Sequence, residues 1–191
     1  MKELGIVIPV GKSDNPKTTL QSLSRQSYQD FDVFVYWDTE NKGVSYARNR
    51  GAEFSKNHYI LFSDADIQWE PDGIERLVLA LKADIYASYA YGPYEMGGKV
   101  QCNLTFDAMY LKQQNYISTM SVIKRDYFLG FDEDLYRLVD WALWLKMLQN
   151  GHTGLYVGDK IIFKTKERDG ITKNGAVSWG QARDAVVAKY L

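Results

Sequence analysis

Apolar positions come first as a short run, Leu4 to Val10, broken at Pro9 and closed by Gly11. Continuous apolarity over so few residues predicts a strand buried on both faces, as in a parallel sheet. Asn15 and Pro16 mark a helix start, and Leu20 and Leu23 lie on one side of the short helix that follows. Phe31 to Trp37 is β-branched and aromatic apart from Asp32, which predicts a second strand ending at Asp38. Between Val44 and Lys56 the placing of Val44, Ala47, Ala52 and Phe54 is compatible with a helix, and His58 to Ser63 reads as a third strand running into Asp64, Ala65 and Asp66. Pro71 and Asp72 start another helix, with Ile74, Leu77, Val78 and Leu81 at helical spacing, and Asp84 to Tyr91 reads as a fourth strand. This alternation predicts an α/β fold with a mainly parallel central sheet flanked by helices. Ligands in such sheets sit beyond the carboxyl ends of the strands, where Pro9, Asp38 and Asp64 converge.

The later pattern predicts strands over Val100 to Phe106 and Tyr116 to Ile123, an apolar helix from Leu138 to Gln149 closed by Asn150 and Gly151, and a C-terminal helix from Ala176 to Tyr190. These are expected to continue the same sheet. With 191 residues, no repeat and no linker-like stretch, the chain suits a single domain, 1–191. Hydrophobic residues at 46% and charged residues at 25% exclude disordered, collagenous and low-complexity classes. The 23 basic residues nearly cancel the 24 acidic ones, so the basic excess that phosphate-backbone binding needs is missing and nucleic acid is not the expected partner. No run approaches the ~20 apolar residues of a transmembrane helix, and the opening apolar stretch is too short for a signal peptide. A lone cysteine, Cys102, forms no internal disulfide and no zinc site by itself, which fits a reducing compartment and an expected cytoplasmic location.

Candidate chemistry concentrates at Asp64-Ala65-Asp66. Two carboxylates one residue apart at a strand end can share a hard divalent cation and leave coordination positions for phosphate oxygens, although the same triplet can be a polar turn. Upstream, Gly43 permits close backbone approach, while Arg48 and Asn49 on one helical turn can bind a diphosphate or hold the aspartate loop. The ordered set Asn41, Gly43, Ser45, Ala47, Arg48, Asn49 and Gly51, then a strand, then Asp64 and Asp66, resembles the family-two glycosyltransferases of the GT-A fold. Their pattern is an N-x-G-x-S-x-A-R-N-x-G stretch followed by D-x-D.

That resemblance implies transfer of a sugar, with inversion, from a nucleotide-diphosphate donor to the hydroxyl of a glycan or other acceptor. UDP is the expected nucleotide and Mn²⁺ or Mg²⁺ the expected cofactor, held by Asp64 and Asp66. Pro9, Val10, Asp38, Asn41, Gly43, Arg48, Asp64 and Ala65 would take the donor, with Asp38 on its base. Residues 1–95 would then form the nucleotide-sugar half and 96–191 the acceptor half. The segment from Thr119 to Gly151 is similar to the family's acceptor segment and places Asp140 as general base with Trp141 beside the acceptor. A sugar hydroxyl is a poor nucleophile at neutral pH, so a carboxylate within about 3 Å that takes its proton suits the chemistry. Asp140 can also simply cap the helix, and Asp132, Glu133 and Asp134 compete for the role.

The chain departs from the family in lacking a late histidine, since His58 and His152 lie elsewhere and read as structural or surface residues. The late segment offers Lys166 and Arg168 for the diphosphate and Asp169 for the metal, with Gly170 and Gly175 permitting a moving lid. Two rival readings are a sugar nucleotidyltransferase and a catalytically silent nucleotide-sugar-binding module. The first calls for a Gly-rich basic loop after the first strand, where only Gly11, Lys12 and Lys17 are present.

Overall fold

Strand β1 (Leu4–Val10) is buried along its whole length and pairs on both sides with parallel neighbours, β2 (Phe31–Trp37) and β3 (Tyr59–Phe62). The computed structural model describes residues 2–166 and 177–191. Side chains alternate across β1, so Leu4, Ile6, Ile8 and Val10 enter one apolar layer and Val7 the other. Helix α1 (Lys17–Leu23) follows β1, and α2 (Val44–Phe54) packs on β1 and β2. The approach of α2 depends on Gly51, where a Cβ would fall 2.4 Å from Val7 Cγ1. After β3 come the two-residue strand β4 (Gln68–Trp69) and α3 (Gly73–Ala83), whose Ile74, Leu77, Val78 and Leu81 fill the layer beneath β1 as their spacing predicts.

The central sheet is completed by β5 (Tyr89–Tyr91), β8 (Val122–Lys124) and β9 (Gly154–Tyr156) in the order β2-β1-β3-β8-β5-β9, with only β8 running against its neighbours. The expected α/β class with a mainly parallel sheet is therefore observed. Because β8 lies between β3 and β5, residues before and after 95 share one sheet. Helices α4 (Ala108–Gln113), α5 (Val139–Gln149) and α6 (Trp179–Tyr190) pack together over the other face, where Tyr89, Trp144 and Val186 sit in one buried cluster.

The second half does not simply continue that sheet. Strand β4 joins β6 (Tyr94–Met96), β7 (Lys99–Gln101) and β10 (Phe163–Thr165) in a separate four-stranded sheet, order β4-β10-β6-β7. Several strands are shorter than the pattern predicts. The Asp84 carboxylate accepts from the N–H groups of Tyr86 and Ala87 and turns the chain, so β5 begins only at Tyr89. Cys102 takes φ 56°, a left-handed conformation that ends β7 at Gln101. From Tyr116 to Met120 the chain lines a cleft instead of pairing, and β8 starts at Val122. Helix α6 starts three residues later than expected, behind a reciprocal cap between Ser178 and Gln181. Among the described residues no helix is long and apolar enough to cross a membrane.

Candidate active site

The carboxyl ends of β1 and β3 open into a cleft of about 830 Å³, lined among others by Pro9, Arg48, Asp64, Ala65, Asp66, Asn115, Asp140 and Thr165. The loop after β3 is fixed from α1. Thr19 Oγ1 donates to the Asp64 carbonyl at 2.8 Å and accepts from Ile67 N–H at 2.9 Å, and Ser22 Oγ accepts from Trp69 N–H at 3.1 Å. Trp69 Nε1 donates to Ser63 Oγ at 2.9 Å from the other side. The two aspartates thus project from a turn whose buried polar groups are paired, which holds them for a ligand.

Arg48 is buried, its guanidinium donating to Asp64 Oδ1 at 2.7 Å and lying 5.1 Å from the Phe131 ring centre. Its Nε is also buried and has no hydrogen-bond partner in the protein. Asp64 keeps 38% of its side chain exposed, and Asp66 Oδ2 accepts from Thr165 Oγ1 at 3.2 Å across the cleft. Two carboxylates bordering one cleft are the oxygen-only donor set that Mg²⁺ or Mn²⁺ accepts, provided a ligand's phosphates complete the coordination. Among the described residues no cluster of three acidic, histidine or cysteine side chains gathers here, and the aspartate pair by itself suits a cation shared with a substrate.

Asp140 lies in the first turn of α5, entered through Leu138 at a left-handed φ of 57°. Its Oδ1 accepts from Trp141 N–H at 2.9 Å and its Oδ2 from Asn115 Nδ2 at 2.7 Å. Burial pushes the carboxyl above the usual range, while these two hydrogen bonds and the charge of Arg48 pull the other way. A carboxylate raised in this manner is a stronger base than an exposed aspartate.

The other expected site residues divide. Pro9, Ala65, Asp64, Asp66, Arg48, Asp140 and Lys166 all border the cleft. Val10 is buried, its carbonyl accepting from Asp38 N–H. Asp38 is buried as well and does not border the cleft. Its two oxygens accept from Lys42 N–H at 3.0 Å and Gly43 N–H at 2.8 Å, holding a loop in which Asn41 and Gly43 take positive φ and Gly43, at 104°, needs the freedom of glycine. Asn49 reaches no ligand space, exchanging hydrogen bonds with the Phe131 backbone at 2.9 and 2.8 Å. Trp141, expected beside the acceptor, is 1% exposed and donates from Nε1 to the Leu111 carbonyl at 2.6 Å, because the large ring is used to join α5 to α4. Arg168, Asp169, Gly170 and Gly175 lie outside the described residues.

Among the competing carboxylates, Asp132 pairs with Lys189 and Tyr190 and Glu133 accepts from Asn49, so neither borders the cleft. His152 meets Ser88 and the Tyr127 ring, away from the carboxylates. A smaller hollow of about 240 Å³, lined by Glu3, His58 and Arg125, lies at the opposite end of the strands and touches none of the groups above. Asn115, Thr165, Tyr136 and Trp179 border the cleft without having been singled out in the sequence. They come from four separated segments, and no local spacing joins them to the aspartates.

Residues 6–129, more than half of the chain, match the family described as glycosyl transferase family 2. Among solved structures, Staphylococcus aureus TarS 1–349 in complex with UDP-GlcNAc superposes over 100% of this chain and 71% of its own, with a TM-score of 0.74 at 14% identity. Glucosyl-3-phosphoglycerate synthase from Mycobacterium tuberculosis, in complex with Mn²⁺, UDP and phosphoglyceric acid, covers 87% of this chain and 72% of its own at a TM-score of 0.58 and 12% identity. At such identities the likeness is one of fold, and the fold is GT-A. An uncharacterized glycosyltransferase of Rickettsia typhi is 25% identical over 97% of this chain and 61% of its own length. A glucosyl-dolichyl phosphate glucuronosyltransferase of Haloferax volcanii is 43% identical over 47 residues, 25% of this chain and 15% of its own. The chain spans between 15% and 61% of the curated relatives it matches. By sequence, the chain belongs to glycosyl transferase family 2.

Proposed function

We propose that this protein transfers a sugar, with inversion, from a UDP-sugar to an acceptor hydroxyl, using Asp140 as general base. The observation that carries this reading is the meeting in one cleft of an aspartate pair, a buried arginine and a separate carboxylate raised by burial. Asp64 and Asp66 would hold Mn²⁺ or Mg²⁺, which supplies positive charge to the departing diphosphate. Arg48, whose guanidinium borders the cleft beside Asp64, supports the same task and suits an anion. Asp140 takes the acceptor's proton as that oxygen forms its bond to the anomeric carbon. The bond from that carbon to the diphosphate oxygen breaks on the opposite face, releasing the nucleotide and inverting the configuration. Residues 1–95 contribute the donor side and 96–191 the base and acceptor side. Tyr136 and Trp179, 50% and 55% exposed at the cleft, replace Trp141 as aromatic surfaces for an acceptor sugar. Arg137 ties their two segments by donating to the Val177 carbonyl at 2.6 Å. A reducing compartment such as the cytoplasm suits the single thiol.

The test is release of nucleoside diphosphate from a panel of UDP-, GDP- and dTDP-sugars with Mn²⁺ or EDTA, using wild type and Asp64→Ala. Release from a UDP-sugar that disappears with EDTA and in the variant is expected. Nucleotide binding without turnover on any donor and acceptor would instead mark a silent binding module.

A further inference from the structure

Asp140 is held by groups outside its own helix, and one of them is placed with unusual economy. Asn115 lies between α4 and β8 and borders the same cleft. Its Oδ1 accepts from Ile117 N–H at 3.2 Å, which fixes the amide so that Nδ2 donates to Asp140 Oδ2 at 2.7 Å. The segment carrying Asn115 is in turn gripped by α5: Trp141 Nε1 donates to the Leu111 carbonyl at 2.6 Å and Trp144 Nε1 to the Ile117 carbonyl at 3.0 Å. The helix that presents the carboxylate therefore also holds the residue that touches it.

We propose that Asn115 is a positioning residue for the base, locking the rotation of the Asp140 carboxylate through its hydrogen bond to Oδ2. This rests on the reading of Asp140 as base. With Trp141 N–H on one oxygen and Asn115 on the other, the carboxylate has one orientation, and its remaining lone pairs are left for the acceptor proton. Hydrogen bonds to the charged form favour it and oppose the effect of burial. Among the described residues, the ionisable groups acting with Asp140 include Arg48 of α2, which favours its charge, and Tyr94 of β6, whose hydroxyl the Asp140 charge helps to raise. Neither is altered by a change at 115.

The test reads the carboxyl directly by ¹³C NMR of protein labelled at aspartate Cγ, with the Asp140 signal assigned from its absence in Asp140→Asn. Asn115→Leu should raise the titration midpoint of Asp140 by about one pH unit or more. Asn115→Asp keeps an oxygen for Ile117 N–H, and with it the loop, but replaces the donor by a second carboxyl. The pair should then titrate in two steps, the upper one well above the wild-type midpoint. In parallel, UDP release from UDP-N-acetylglucosamine and UDP-glucose with Mn²⁺ should show kcat down by about tenfold or more in Asn115→Leu, with the donor KM unchanged and the acid limb of the pH profile displaced upward. An unmoved midpoint in both variants overturns the proposal. So does a moved midpoint with kcat and pH profile unchanged. Full turnover in Asp140→Asn would defeat the base assignment itself, whatever Asn115 does, so the two failures are distinguishable.

Discussion

At Asp140, burial and hydrogen bonding oppose each other, and the net effect sets both reactivity and stability. Its carboxyl is raised in the folded protein relative to an exposed aspartate. The folded state therefore binds its proton more readily than the unfolded state, so this group favours folding at low pH and loses that contribution as pH rises through the folded value. Its ionised form is a destabilising charge kept for chemistry. Asp140→Asn should cost about 10²–10⁴ in kcat, yet its thermal midpoint at pH 7 should equal or exceed that of wild type. A fall of several degrees in differential scanning fluorimetry would show a structural cap and not a base. Cys102, in the same cleft, is likewise raised by burial, its thiol pushed up to about 12, and for a thiol that shift suppresses reactivity. With so little thiolate at neutral pH, alkylation by iodoacetamide should run about 10³-fold slower than for an exposed cysteine, as followed by mass spectrometry.

Between elements, the controlling contact is the grip of α1 on the loop after β3. Thr19 is fully buried and its hydroxyl serves two backbone groups of that loop. Thr19→Val keeps the shape but leaves Ile67 N–H and the Asp64 carbonyl without this partner. It should cost about 1–3 kcal/mol in urea denaturation and also weaken Mn²⁺-dependent UDP binding, since the aspartates ride on the same turn. None of this is visible along the chain, where Thr19 and Ile67 are far apart. The sequence was most informative where one element satisfies a simple local rule. Strands β1 and β2 coincide with their predicted runs because each is long and apolar, β-branched or aromatic apart from Asp32. The helix after Asp72 follows its spacing because one stripe faces one layer. The four-stranded sheet escaped notice because its strands are two or three residues long, too short to show a period, and are joined from distant parts of the chain. Likewise the aspartates of the cleft were legible as a motif, whereas Asn115 and Thr165 acquire meaning only through contacts made across the fold.

Taken as a whole, the molecule brings the ends of a six-stranded sheet against a four-stranded one, and the cleft lies where the two meet. Asp66, after β3, and Thr165, in β10, touch across that boundary, while Arg48 and Asp140 reach the same space from α2 and α5. A ligand bound there contacts parts of the chain that would separate on unfolding, so its binding free energy adds to the stability of the entire domain. At a free UDP concentration of about 100 times Kd, with Mn²⁺, the stabilisation should be about 2.7 kcal/mol, and it should grow with the logarithm of concentration. The increment should vanish with EDTA and in Asp64→Ala, because the diphosphate would then face Asp66 without the shared cation. Urea unfolding monitored by tryptophan fluorescence measures it, and Asp64→Ala without ligand provides the baseline for its own altered pairing with Arg48. Equal stabilisation by UDP in EDTA would show that Arg48 and the backbone hold the diphosphate alone. The aspartate pair would then be a structural partner of Arg48 and not a metal site.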